Sequence, residues 1–249
     1  MSAVGKPAGL GVDSGPWESV RHWLVLAPHP DDFDVVAVTL RRLADTGARI
    51  TLEVLSGGAS GVEDGFAAGW EAKTSAREYE QRESCALFGP PWIEPRFHRL
   101  TEDAAGHISD GEENRMRVHQ ILATHLPDGV ILPHGNDSNA DHRRTFRWFK
   151  SWCDSRPSPP LALLVRDPKN LGMRVDLVTP YDAASAAWKG SLLRCHRSQH
   201  ARNLRSRGIG FDERILAPDR EAGEAFGFMA TECFEIYDPS LSGAAARTT

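Results

Sequence analysis

Short apolar runs alternate with amphipathic stretches along most of the chain. His22–Ala27 (HWLVLA) is apolar and of strand length, as for a strand buried on both faces. Pro28–Asp32 breaks the pattern. From Asp34 onward Val35, Val38, Leu40 and Leu43 recur at near-helical spacing, and Gly47 closes that helix. Arg49–Leu55 (RITLEVL) predicts a second strand. The chain therefore opens strand, helix, strand, the unit of a parallel sheet with a right-handed crossover. Further helices are predicted over Lys73–Phe88, Glu112–His125, Asp141–Cys153 and Tyr181–Arg194, and further strands over Gly129–Pro133, Leu161–Arg166 and Met173–Thr179. The alternation predicts an α/β fold: a Rossmann-like, doubly wound, mostly parallel sheet in a single domain.

Length and composition agree with this. The 249 residues are 41% hydrophobic and 25% charged, enough for a full core in an ordinary globular chain. Residues 1–20 and 239–249 are rich in small residues and read as flexible tails, leaving 21–238 as the domain. No apolar run approaches the ~20 residues of a membrane span. The first residues lack the apolar stretch of a signal peptide, so the expected compartment is the cytoplasm. A net charge of −5 argues against a nucleic-acid partner. The clusters Arg143, Arg144, Arg147 and Arg202, Arg205, Arg207 read as solvated faces or local anion contacts. Four scattered cysteines without a CxxC pair exclude a disulfide scaffold and a thiolate zinc finger. A metal site here would be built from imidazole and carboxylate.

Two segments offer those groups. Pro28-His29-Pro30-Asp31-Asp32-Phe33-Asp34 follows the first strand. A helix N-terminus explains one or two of its aspartates. It does not explain His29 or the concentration of carboxylates, which a cation would offset. The second segment, His134-Gly135-Asn136-Asp137-Ser138-Asn139-Ala140-Asp141-His142, follows strand Gly129–Pro133. In an open parallel sheet both loops lie on the carboxyl rim, where ligands bind. A catalytic zinc takes about three protein ligands and keeps one open position. His29, Asp32 and His142 supply three, with Asp31 free beside them. The rival reading is a metal-free binding module whose His/Asp loops cap helices.

These residues resemble the PIG-L/LmbE family of zinc-dependent de-N-acylases. The family's A/P-H-P-D-D-E motif is similar to Pro28–Phe33, and its H-x-D-H motif to Asn139-Ala140-Asp141-His142. Weaker matches are Arg77-Glu78 through Phe88-Gly89, Lys189 with His196-Arg197-Ser198-Gln199, and Phe228–Phe234. The resemblance spans residues 22–237. It implies an LmbE-like fold and a metal-dependent amidase removing an N-acyl group, N-acetyl above all, from a small amino sugar or related glycoconjugate. It implies zinc, or another divalent transition metal, on His29, Asp32 and His142, with Asp31 as general base and Asp141 close to the centre.

Two positions depart from the family. Asn139 replaces the first His of H-x-D-H; an amide can donate to an oxyanion but delivers no proton. It is a catalytic candidate in that reduced sense, and its presence also allows a zinc-binding homologue with weak, altered or no deacetylase activity. Phe33 replaces Glu and reads as packing. Arg77, His134, Asp137 and His196 are candidate substrate contacts. Arg77 is equally readable as an ion pair with Glu80 on a solvated helix, and His196 as a buried histidine. Trp70 reads as a sugar-stacking ring or a loop anchor. Trp148 and Trp152, four apart, read as core.

Overall fold

The computed structural model describes residues 8–9, 15–89 and 92–238. Along them run β1 (Ala8–Gly9), β2 (His22–Ala27), α1 (Ala37–Asp45), β3 (Arg49–Val54), α2 (Trp70–Phe88), β4 (Arg96–Phe97), α3 (Glu112–His125), β5 (Gly129–Pro133), α4 (Ala140–Asp154), β6 (Leu161–Val165), β7 (Leu177–Tyr181), α5 (Ala183–Cys195), α6 (Arg197–Arg207), α7 (Phe211–Phe226) and β8 (Ala230–Tyr237). The strands form one sheet in the order β1-β7-β8-β6-β5-β2-β3-β4. β8 runs antiparallel to its neighbours β6 and β7; the other pairings are parallel.

The central strands are apolar on both faces because both faces are covered. Trp23, Val25 and Ala27 of β2 join Ile131, Leu163 and Val165 in the core that also takes in Val38 and Leu43 of α1 and Ile215 of α7. Leu24, Leu26, Val130, Leu132, Ala162 and Leu164 point the other way, onto Val118, Ile121 and Leu122 of α3 and Trp148, Phe149 and Trp152 of α4. Burying each such side chain is worth about 1.5–3 kcal/mol. Phe33 is fully buried, edge-on to Phe88 at 5.3 Å between centroids, in keeping with a packing role.

Some boundaries differ from the sequence pattern. Within the segment expected as a loose tail, Pro16–Ser19 forms a 3-10 turn, and Trp17 and Val20 are buried in the first core. Ala8–Gly9 pairs with β7; residues 1–7, 10–14 and 239–249 lie outside the described residues. The strand expected over Met173–Thr179 starts later, at Leu177. Ahead of it the Arg174 N–H donates to the Glu235 side chain (2.9 Å) rather than to a neighbouring strand's backbone. α6, α7 and β8 follow α5, beyond the last element predicted from the sequence pattern. No helix among the described residues is long and apolar enough to cross a membrane.

In the sheet β2 lies between β3 and β5, so the chain winds outward in both directions from the β2/β5 pair. The loops after these two strands therefore face each other across the carboxyl rim, the position where such sheets hold ligands.

Candidate active site

The loop after β2 turns sharply at Asp31, whose φ of 112° is uncommon for a residue with a side chain. Three contacts hold it there. Its N–H donates to Gln81 Oε1 (3.0 Å), its carbonyl accepts from the Asp34 N–H (3.0 Å), and its carboxylate pairs with Arg77 (3.1 Å). Backbone strain of this kind persists only where surrounding contacts enforce it, and it concentrates at functional sites. Arg77 also donates to the Pro30 carbonyl and is almost fully buried. It therefore belongs to this loop. Glu80, the alternative partner considered for it, is taken by the N–H and hydroxyl of Ser198 (both 2.7 Å).

The loop after β5 brings His142, at the start of α4, beside the β2 loop. Asp137 Oδ2 lies 2.9 Å from His142 Nδ1, and Asp141 Oδ2 lies 2.9 Å from His29 Nε2. An ionised carboxylate only accepts, so each ring donates its proton outward to its aspartate. In the neutral rings that a metal would require, the remaining lone pairs, on His29 Nδ1 and His142 Nε2, both face Asp32, each 3.5 Å from one of its oxygens. His142 Nε2 is buried without a hydrogen-bond partner. The ligand atoms of His29, Asp32 and His142 all lie within 4.8 Å of one another. An orphaned imidazole nitrogen, a second lone pair and a carboxylate converging on one point fit a borderline divalent cation. Asp137, His142 and Asp167 also cluster. That trio shares His142 and would take Asp137 from the hydrogen bond that orients the ring.

The electrostatics describe the same point. Burial opposes charge on His142, yet Asp137 and Asp32 outweigh it and push its pKa up to about 10. His29 is raised as well: burial opposes, and the bonds to Asp141 and Asp32 prevail. Burial works against ionised Asp32, but His142 and His29 hold it well below the usual carboxylate range. The metal-free cluster is thus a strong attractor of positive charge.

Other candidates fall outside this point. Asn139 is the N-cap of α4; its side-chain oxygen accepts from the Asp141 N–H at 2.9 Å. That bond fixes the turn that carries Asp141 and His142. Asp137 is fully buried and holds His142, which removes it from substrate contact. His134 is turned away. Its Nδ1 accepts from the Asn136 N–H (2.9 Å), Nε2 lies 3.3 Å from Glu235, and the ring stacks on Phe146. His196 is fully buried, with Nε2 2.6 Å from Asp34, so it too lies out of a substrate's reach. Asp34 also accepts from Ser84 and Gln81, joining β2's loop to α2 and to the α5–α6 junction. Lys189 is buried between Asp219 (2.7 Å) and Glu232 (2.8 Å), a structural ion network. Trp70 is half-exposed and borders a neighbouring cavity.

Beside the cluster opens a cavity of about 660 Å³ lined by His29, Asp31, Asp32, Arg77, His107, Asn139 and Asp141, together with residues of α6 and α7. That is within the usual range for small-molecule sites. Sequence reasoning passed over His107, which belongs to no motif. It is 45% exposed, and its Nδ1 lies 3.2 Å from Asp141 Oδ2, the oxygen that also receives His29. Gly106, at φ +77°, lets this loop pass close to Ser60 and Trp70.

Fold and site together define an α/β protein with a His/Asp metal-type cluster at the carboxyl rim of its sheet. The sequence profile of PIG-L, described as GlcNAc-PI de-N-acetylase, matches residues 24–153, just over half of the chain, and the chain belongs to that family. It is 31% identical over 132 residues to a diacetylchitobiose deacetylase of Thermococcus kodakarensis, a match covering 51% of this chain and 47% of that relative. The chain thus matches about half the length of this curated relative. Among solved structures it resembles the N,N'-diacetylchitobiose deacetylase of Pyrococcus horikoshii in complex with an inhibitor. The TM-score is 0.73 at 21% identity, over 91% of this chain and 88% of that one. It also resembles GalB, the 4-carboxy-2-hydroxymuconate hydratase of Pseudomonas putida KT2440, with a TM-score of 0.68 at 15% identity over 88% and 97%. The last two likenesses establish the fold; since they include a hydratase, the reaction must be argued from the site.

Proposed function

We propose that the protein is a zinc-dependent hydrolase that removes an N-acyl group, most simply N-acetyl, from an amino sugar or related glycoconjugate. The observation that carries this reading is the pair of imidazoles tethered outward by Asp137 and Asp141, with their free nitrogens converging on Asp32. Family membership and the likeness to deacetylases support it.

His29 Nδ1, Asp32 and His142 Nε2 would hold the metal. When bound, zinc supplies an acidified water and polarises the acyl carbonyl. Asp31 stands at the cavity edge, oriented by Arg77, and takes a proton from the attacking water. It then returns that proton to the departing nitrogen, which cannot leave as an amide anion. Asp141 and Asp137 keep the rings in the tautomers that leave Nδ1 and Nε2 unprotonated. Asn139 takes no proton; it holds the α4 turn. His107 is the cavity-lining histidine outside the cluster and is placed to hydrogen-bond the substrate.

The test is Asp31→Asn. It should bind zinc like the wild type and lose about 100-fold or more in acetate release from N-acetylated sugars, the scale of a lost general base. Near wild-type turnover in that variant would remove Asp31 from the reaction.

A further inference from the structure

Against Asp32 and His142 lies a separate small cavity of about 10 Å³. That is room for a single group the size of a water or a methyl. It is bounded by the ends of three neighbouring strands: Ala27 of β2, Leu132 and Pro133 of β5, and Val165 of β6. Val35, from the turn after the β2 loop, closes it on another side. Apart from Asp32, His142 and Asp167 its lining is apolar. An apolar cavity stays dry and takes an apolar guest in preference to water. Asp32, Val35 and Asp167 also line the large cavity, so the two spaces adjoin at these residues.

Hydrolysis of an amide sorts three groups around the acyl carbon. The carbonyl oxygen and the attacking water belong at His29, Asp32 and His142. The departing nitrogen and its sugar belong in the large cavity, beside Asp31. The third group, the alkyl part of the acyl, needs an apolar space that touches the cluster and is not filled by the sugar. The small cavity meets both conditions. Val35 and Val165 are buried members of the main core, and a close-packed core yields little to an added methylene.

We propose that this small cavity is the acyl pocket, and that Val35 and Val165 set the length of acyl chain the enzyme accepts, admitting formyl and acetyl and excluding propionyl and longer chains. The inference rests on the deacylase reading above and adds to it the residues that choose the acyl group.

The test compares N-formyl-, N-acetyl-, N-propionyl- and N-butyrylglucosamine on the zinc-loaded full chain. Binding of formate, acetate, propionate and butyrate, the carboxylates such a reaction releases, is measured in parallel by titration calorimetry. Acetyl should exceed propionyl about 10–200-fold in kcat/KM, the discrimination a fitted apolar pocket exerts over one methylene, with butyryl lower still. Val165→Ala and Val35→Ala should each shrink that ratio about tenfold by making room for the methylene. Val165→Ile, which adds a methylene to the wall, should cut acetyl kcat/KM about tenfold and spare formyl. Zinc affinity should stay at the wild-type value in all three variants, since neither valine offers a ligand atom. Val35→Ala carries the comparison if the Val165 variants fold poorly. Equal kcat/KM for the acetyl, propionyl and butyryl compounds, or an acetyl-to-propionyl ratio that the valine variants leave unmoved, would overturn the pocket. If no compound is cleaved, acetate binding more tightly than propionate in the wild type but not in Val165→Ala keeps the pocket and rejects the deacylase reading. Carboxylates bound alike in both proteins, again without cleavage, would reject the two together.

Discussion

Asp137→Asn isolates the tethering of His142 from everything else. The substitution preserves shape at a fully buried position. In the native loop both carboxylate oxygens are used: Oδ2 by His142 Nδ1 at 2.9 Å and Oδ1 by the Asn139 N–H at 2.6 Å. An amide has one acceptor oxygen, so one of these donors must face an NH₂ group. If the NH₂ faces His142, Nδ1 becomes the acceptor and the proton moves to Nε2, the nitrogen needed by the metal. If it faces Asn139, a buried N–H loses its partner at the turn that starts α4. The second outcome costs about 1–3 kcal/mol of stability and leaves the His142 bond intact, whereas the first turns only one amide towards a ring that can supply its own acceptor, so the first should prevail and zinc affinity should fall about 10–100-fold. Competition against a chelating indicator measures the affinity, and circular dichroism monitors the fold. A folded variant with zinc affinity within about twofold of wild type would refute the claim that Asp137 sets the tautomer of His142.

Three further outcomes are expected. Lys189→Met strands Asp219 and Glu232 together in the interior; it should cost about 3–5 kcal/mol and lower Tm by roughly 10 °C in a thermal melt, with zinc affinity retained. His107→Gln should lower kcat/KM about tenfold while zinc affinity stays at the wild-type value, since His107 touches Asp141 rather than the converging nitrogens. The metal-free protein should lose stability as pH rises. His142 is raised from its ordinary 6.5 to about 10 in the fold, so its contribution is complete below 6.5 and lost through about 10. Melts of chelator-treated protein across that window check the sign, and a rising Tm would contradict it.

The parts of the protein legible in sequence are those fixed by local pattern. β2 and β5 are short apolar runs because both faces are covered, and their ends mark the rim to within a residue. The His29, Asp32 and His142 cluster was legible because two motifs follow two strands that become neighbours. What stayed hidden depends on distant parts of the chain. His196 reads as a substrate contact until Asp34, 162 positions away, takes its ring. Asp137 reads likewise until the loop folds it under His142, and the capping of α4 by the Asn139 oxygen shows only in the structure. His107 has no motif; it reaches the cavity because Gly106 allows its loop to cross close to Ser60 and Trp70. α6 is polar on most sides, so hydropathy does not announce it. Only the structure separates its cavity-facing Arg202 and Arg207 from its externally paired Arg205.

The central claim is that a metal on His29, Asp32 and His142 drives amide hydrolysis. Acetate release from an N-acetylated sugar, followed as zinc is titrated into chelator-stripped protein, tests it most directly. Activity should be absent without metal, rise to saturation at one zinc per chain, and fail to return in Asp32→Ala. Equal acetate release by stripped and reloaded protein, or full recovery in Asp32→Ala, would contradict the account.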